Sequence, residues 1–407
     1  MLSDDSKSPN GNDLVNKLLP LVRQVMSITD ITVGDQKQPF AVRFRGTLIS
    51  DSQLAFEKLD PVFNQAGATL LFREENGVQE ILGMPGVIQP RASNPIVNVI
   101  LFLLTLASML VAGAMYGMEN LADTSFLGIL QAIVLNLPNG ITFAASLLGI
   151  LTAHEFGHYF AARFHKVAVS LPYFFPFPFS LFGTLGAFIR LKEPPKNRRV
   201  LLDIGLSGPI AGLIVAIPVL LIGLFLSDIG QLPLNAMAAQ GSVLEGNSLL
   251  YLAMKYVVTE EFLPKPLHYA GLSPFMYWVR YFFVGLPMPF GGTDVLLHPL
   301  AWAGWAGLLV TMLNLIPAGQ LDGGHAIYVL LGKATARLWP FIIGVLLLLG
   351  MVWPGWYIWA GLVFLMGRTY ARPRDEITPL DPRRKWLAVF GLVLFVLVFI
   401  PVPLRSF

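Results

Sequence analysis

The fold class this sequence predicts is a predominantly α-helical, polytopic membrane bundle with a small soluble α/β domain at its amino end, and three observations predict it. Of the 407 residues, 55% are hydrophobic and only 13% charged, with a mean hydropathy of +0.63, far from the balance of a soluble globular chain. Apolar runs at or near bilayer-crossing length, about twenty residues, recur from Pro95 onward. Only the stretch before Pro95 mixes polar and apolar positions at the periods of half-buried helices and strands. The expected organisation is a soluble domain over 1–92, a first span and outer loop over 93–140, a membrane core over 141–336 and carboxyl-terminal transmembrane helices over 337–407.

Composition excludes several functions. Lys and Arg number 28 against 25 acids, and no basic stripe with interleaved aromatics is present, so nucleic acid is not an expected partner. Cysteine is absent, which removes disulfide frameworks and thiolate metal sites and leaves His, Asp, Glu or Asn to hold any metal. The amino terminus, MLSDDSKSPNGND, has neither a basic region with an apolar core nor the Arg-rich, acid-poor character of a transit peptide. The expectation is a mature bacterial protein of the cytoplasmic membrane.

Taken in order, Leu14 to Met26 suits an amphipathic helix, and Phe40, Val42 and Phe44 alternate with Arg43 and Arg45 as in a strand. Asp51 can cap a helix from Gln53 towards Phe63, with Pro61 kinking or ending it. Ala68 to Phe72 and Val78 to Leu82 read as a hairpin about Asn76-Gly77. This domain has no Gly-rich phosphate loop and no metal-spaced histidines, so it reads as a docking or regulatory module.

Pro95 to Met115 follows as a first span, with Glu119 and Asp123 marking the loop after it, and Phe126 to Leu135 is short enough to be a half-helix. Between Val167 and Val200 the chain is rich in Pro, Phe and Gly, and Leu181 to Leu191 suits a hairpin or dipping loop whose edge could pair with an extended substrate; a merely interfacial aromatic loop is the alternative. Val200 to Leu226 is a span whose Gly205, Ser207, Gly208, Pro209, Ala211 and Gly212 allow close helix packing. Ser227 to His298 is a mixed loop with partial helices at Ser248 to Val258 and Pro274 to Phe283, and its His268 and His298 read as structural or solvated. Leu300 to Leu315 spans again, followed by Leu338 to Met351 and Tyr357 to Leu365 as a tight pair, and Trp386 to Val402.

Basic residues set an orientation. If Arg163 to Arg199 is cytosolic, alternate crossings place the amino-terminal domain, Lys333, Arg337 and the cluster Arg368, Arg372, Arg374, Arg383, Arg384 and Lys385 inside, the mixed loop outside, and only Arg405 on the wrong side.

The chemistry concentrates in ITFAASLLGILTAHEFGHYFAARFH, Ile141 to His165. His154 and His158 are four residues apart, one turn on a helix, so both imidazoles can reach one Zn²⁺. Glu155 lies slightly off that face, placed to act as general base. Two imidazoles and a carboxylate in an uncharged helix cost several kcal/mol unless compensated, about what a metal relieves; satisfied core histidines with Glu155 at a wet helix end are the bland alternative.

A catalytic zinc takes three protein ligands and keeps one open position. Asp322, in NLIPAGQLDGGH, is the best third candidate, since it ends a membrane segment on the same side as the histidines and Gly323-Gly324 lets a backbone approach. His325, three residues on, competes for the role, and Asp322 as a mere helix cap is a further alternative.

HEFGH followed about 160 residues later by NLIPAGQLDGGH resembles the site-2 protease family of intramembrane zinc metalloproteases, whose signatures are H-E-x-x-H and N-x-x-P-x-x-x-x-L-D-G. The likeness covers Ile141 to Gly332, including GTLGAFIRL and the SGPIAG helix, and the layout looks most similar to the branch with cyanobacterial members and chloroplast gravitropism and greening proteins. The resemblance implies that His154, His158 and Asp322 bind zinc, that Glu155 is the base and that Asn314 lies near the cleft. It implies cleavage of membrane-anchored proteins in or near their transmembrane segments, with lipid bilayer and anchored substrate as partners. The rival readings are a transporter or ion path using the same His, Glu and Asp, and a zinc-holding but catalytically silent scaffold.

Overall fold

The computed structural model describes residues 11–35, 37–116, 125–235, 237–238, 243–367 and 369–406. Residues 1–10, Glu119, Asp123 and Arg368, which entered the expectations above, lie outside the described residues.

The amino-terminal part is an α/β unit with its own apolar core. Helix α1 (Gly11–Val22) ends before Met26, short of the expected extent, because MSITDITV is dense in β-branched residues and forms strand β1 (Met26–Val33) instead. Strand β2 (Val42–Leu48) and helix α2 (Ser52–Gln65) follow, with Asp51 Oδ1 accepting from the Gln53 and Leu54 amides. Pro61 lies inside α2 rather than ending it. The carbonyl it deprives of a partner belongs to exposed Glu57, where water can serve. Strands β3 (Ala68–Glu75) and β4 (Val78–Pro85) turn at Asn76 and Gly77, both at positive φ (51° and 77°), and complete an antiparallel sheet of order β1-β2-β4-β3. Leu14, Leu18 and Val22 pack with Phe44, Leu59, Phe63, Leu70, Phe72 and Ile81 between helices and sheet.

The remainder is mostly helical and built around a second core. Its elements are α3 (Pro95–Met115), α4 (Phe126–Leu135), α5 (Leu137–Phe164), β5 (Tyr173–Pro176), β6 (Thr184–Phe188), α6 (Arg198–Phe225), β7 (Asp228–Gln231), β8 (Val243–Glu245), α7 (Leu249–Thr259), α8 (Pro274–Val284) and β9 (Thr293–Leu296). Then come α9 (Pro299–Asn314), α10 (Asp322–Leu331), a 3₁₀ turn over Gly332–Arg337, α11 (Trp339–Gly350), α12 (Gly355–Met366), α13 (Pro382–Val398) and β10 (Leu404–Ser406). Among the described residues α3 and α6 are long and apolar enough to cross a membrane, and two bent pairs, α4 with α5 at 67° and α10 with α11 at 87°, bring the candidate spans to as many as four.

Helix α9 has 16 residues, about 24 Å of helix, less than the roughly 30 Å of a hydrocarbon core. It is nearly all buried against α5 and α6. Glycines allow this: a Cβ on Gly304 would lie 2.7 Å from the Leu220 backbone, and one on Gly223 2.2 Å from the Ala301 amide. Helices α5 and α6 meet as closely, since a Cβ on Gly157 would lie 2.5 Å from the Ser207 carbonyl oxygen. At one end of the bundle Asp203 of α6 accepts from Arg384 of α13 through both carboxylate oxygens and contacts His165 at 3.0 Å, tying three elements together.

The 227–298 stretch is ordered by two short ribbons, β7 with β9 and β8 with β10. His298 caps α9, its Nδ1 accepting from the Leu300 amide, and His268 is exposed, as the sequence suggests. A buried ion group holds the lobe: Lys255 Nζ donates to Glu245 Oε1 (2.8 Å) and Asp294 Oδ1 (3.0 Å), and Tyr251 donates to Glu245. Burial pushes the Asp294 carboxyl up to about 6, opposed by Lys255 and reinforced by Glu245. An acid raised on folding binds its proton more tightly folded than unfolded. The resulting stabilisation is complete below about pH 4 and lost as pH rises through the folded value. Protease nicking within 227–298 should therefore be slower near pH 5 than near pH 7.5, and Asp294→Asn should flatten the difference. An unchanged pH profile in that variant would count against it.

Candidate metal centre

Helix α5 delivers two imidazoles and a carboxylate to the interior: His154, Glu155 and His158 are all buried among Leu147, Leu151 and the facing residues of α6 and α9. The expected i, i+4 face is present, with His154 Nε2 and His158 Nε2 3.2 Å apart. Helix α6 supplies the wall. A Cβ on Gly208 would fall 2.1 Å from His158 Nε2 and one on Gly212 3.2 Å from His154 Nδ1, so the small-residue face of this helix is the space the imidazoles occupy.

Asp322 arrives from α10. Its Oδ2 lies 3.3 Å from His154 Nε2 and 3.4 Å from His158 Nε2. Leu321, not Asp322, holds the cap position of α10 and makes no side-chain cap bond, so the aspartate is not a helix cap. The two glycines after it let the loop following α9 fold back onto the helix: a Cβ on Gly323 would sit 1.9 Å from the Leu315 carbonyl oxygen, and one on Gly324 2.4 Å from that of Gly319. The same fold brings Asn314, the last residue of α9, to the site, with Nδ2 3.2 Å from His154 Nε2.

His325 is left out of this group. Among the described residues the donor atoms within 4.8 Å of one another belong to His154, His158 and Asp322. The His325 ring packs instead beside Gly205 of α6, its Nδ1 buried and unpartnered.

The donor set fits zinc. His158 donates from Nδ1 to the Ile204 carbonyl oxygen (2.6 Å), which fixes its tautomer and turns the Nε2 lone pair towards His154 and Asp322. Two imidazole nitrogens and a carboxylate oxygen then face one another at 3.2–3.4 Å. With both Nε2 atoms unprotonated, three electron-rich atoms meet in a buried site, and a cation among them would relieve their repulsion. Tetrahedral zinc with ligands at about 2.0–2.1 Å spaces each ligand pair by about 3.3–3.4 Å, the spacing seen here. Glu155 stands outside the triangle, its carboxylate within reach of the Ile189 backbone amide just past β6.

Two supports were not legible beforehand. The Ile204 carbonyl that orients His158 is a backbone group without a side-chain signature. The anchoring of the β5–β6 hairpin depends on Asn98 and Ser108 of α3, which donate to the carbonyls of Leu171, Pro172 and Gly183; two polar residues inside a long apolar helix were the available signal.

Comparison with known proteins decides the family. The profile of peptidase family M50 matches residues 142–351, which contain both motifs and the whole triangle. This chain belongs to peptidase family M50. The M50 chain is 31% identical over 266 residues to the probable zinc metalloprotease EGY1, chloroplastic, of Arabidopsis thaliana, covering 64% of this chain and 43% of that protein. It is 30% identical over 271 residues to the probable zinc metalloprotease EGY2, chloroplastic, of the same plant (66% and 43%), and 27% identical over 321 residues to EGY1 of Oryza sativa subsp. japonica (75% and 50%). The M50 chain thus spans half or less of the length of these curated relatives. No solved structure matches it. The expected resemblance to the greening-type branch holds, and zinc is the cofactor that relatives and donor set agree on.

Proposed function

We propose that this chain is a polytopic intramembrane zinc metalloprotease that hydrolyses peptide bonds in or beside the transmembrane segments of anchored proteins. One observation carries the reading: three lone-pair donors spaced for tetrahedral zinc, in an apolar bundle, with the Glu155 carboxylate beside them. In the proposed roles His154, His158 and Asp322 hold the metal, Glu155 is the base and Asn314 assists. Bound there, zinc would supply Lewis acidity that makes water more acidic and polarises the scissile carbonyl. Glu155 takes the proton released by the attacking water and passes it to the leaving amine. Asn314 Nδ2 donates to the carbonyl oxygen as negative charge develops there.

A helical substrate hides its carbonyls in i to i−4 bonds, so it must unwind. The β5–β6 hairpin suits the unwound form. It is a two-stranded ribbon whose exposed Leu185 and Phe188 offer apolar contacts, and β6 leads directly to Ile189 at the Glu155 carboxylate. The ion-path reading has less support, because His154, His158 and Asp322 converge on one point instead of lining a route. The basic residues favour an orientation with the site towards the cytosol, in what we propose is a bacterial cytoplasmic membrane. The four-part organisation at 92, 140 and 336 belongs to the same proposal.

The test compares membrane-anchored fragments in cells expressing the active chain or an Asp322→Ala variant. Fragments cut within or beside a span should appear only with the former, and identical fragment sets would overturn the proposal. Asn314→Ala should lower turnover about 10²-fold with zinc content unchanged, measured on purified protein; loss of zinc would instead make Asn314 part of the metal's support.

A further inference from the structure

We infer that the amino-terminal domain is a positioning element for Asp322, acting through the 372–378 strap and the far end of α10; this rests on the metal reading above. The strap is an extended segment shared by three parts of the molecule. On one side it pairs with the edge of the amino-terminal sheet: the Phe72 amide donates to the Arg374 carbonyl, and the Glu376 amide to that of Phe72. On the other, the Arg374 and Asp375 amides donate to the carbonyls of Pro195 and Lys196, just ahead of α6. Side chains lock both contacts. Arg374 makes a two-pronged ion pair with Asp60 and covers the Phe56 ring, and Arg73 Nη1 donates to the carbonyls of Phe72, Pro373 and Arg374. The Ser52 and Thr378 hydroxyls meet at 2.9 Å, and Asp375 accepts from the Ile377 and Thr378 amides and from the Thr378 hydroxyl.

Helix α10 connects to this assembly at the end opposite Asp322. Tyr328 donates to buried Glu376 Oε1 (3.0 Å), Arg73 faces the other oxygen of that carboxylate at 3.9 Å, and Lys333 donates to the Glu74 carbonyl. Elsewhere the two do not close: a cleft of about 620 Å³, bordered by Glu74, Gly77, Arg198, Leu331 and Glu376, lies between the β3–β4 turn and the end of α10. The bonds crossing this gap act with the packing of α10 on α6 and α13 to set where α10 stands along its axis. A ten-residue helix is a rigid rod about 15 Å long, so displacement at Tyr328 reappears at Asp322. Asp322 must meet two histidines whose own position depends on α6, through the Ile204 carbonyl and Gly208. The strap fixes α6 and α10 to the same amino-terminal sheet. Tyr328, Glu376 and Arg73 are thus positioning residues, and a partner that loosens the domain would loosen the metal triangle without touching it.

The experiment uses full-length zinc-loaded protein in detergent and measures zinc transfer to a chromophoric chelator. Tyr328→Phe, which keeps the ring, and Arg73→Ala, which lies in the amino-terminal domain and removes its bonds to the strap, should each speed zinc release about tenfold, the effect of one lost hydrogen bond to a charged group. Arg73→Lys should restore part of the difference. Lys58→Ala, which breaks the bond to Gln24 within the domain, should release zinc at the wild-type rate. Wild-type release rates in both Tyr328→Phe and Arg73→Ala would overturn the inference while leaving the metal site standing. A wild-type protein without one tightly held zinc would overturn the metal reading and this inference with it. Should Arg73→Ala fail to fold, the near-isosteric Tyr328→Phe decides alone.

Discussion

Turnover of an anchored substrate by the Glu155→Gln variant is expected to fall about 10²- to 10⁴-fold, the range for loss of a general base, while bound zinc stays at the wild-type level. Gln has the size of Glu and keeps an oxygen that can accept from the Ile189 amide, but it cannot take a proton at neutral pH. Zinc content should not change, because Glu155 is not among the three residues whose donor atoms converge. The pair of readouts separates the possible roles. Turnover within a few-fold of wild type would remove Glu155 as the base, and zinc loss would show that it helps hold the metal. A scaffold without catalysis would show equal, negligible turnover in both proteins.

Gly208→Ala is expected to remove zinc binding almost entirely, although it adds one methyl group far in sequence from every proposed ligand. The new Cβ would fall 2.1 Å from His158 Nε2, 2.4 Å from Cδ2 and 2.5 Å from Cε1. Helix α6 cannot retreat, since Gly223 on it already touches the α9 backbone and the facing Gly304 of α9 meets Leu220. The imidazole must therefore rotate away, breaking the bond to Ile204 and opening the triangle. Overpacking of this kind costs about 1–3 kcal/mol of stability, so a modest fall in melting temperature should accompany the loss of zinc. Gly149→Ala is the control. It lies on α5 with nothing within 4 Å of its would-be Cβ, so it should keep its metal. Stoichiometric zinc in Gly208→Ala would mean that the α5–α6 contact is looser than its glycines indicate.

What was legible from the sequence is what short-range geometry determines. The spacing of His154 and His158 on a helix puts two imidazoles on one face whatever surrounds them. Asn76-Gly77 makes its turn and Asp51 caps its helix by local bonds alone. Apolar length marked α3 and α6, the two described helices long and apolar enough to cross a membrane. Errors arose where two local preferences competed: the helix drawn to Met26 lost its end to a β-branched strand, and Pro61 did not break α2 because the carbonyl it orphans faces water.

Tertiary structure alone decided the rest. Asp322 and His325 are both compatible with the motif, and the choice between them follows from how α10 rests on α6, with His325 turned onto Gly205 and Asp322 towards the histidines. The tautomer of His158 depends on a carbonyl 46 positions away in sequence. The strap, a polar stretch without periodicity, shows its role only when the Phe72 edge, the turn before α6 and Tyr328 are seen to share it. Within one helical turn the covalent backbone fixes distance, so residue spacing suffices. Between segments about 160 residues apart, helix packing fixes it, and packing depends on where every intervening glycine lets two backbones meet.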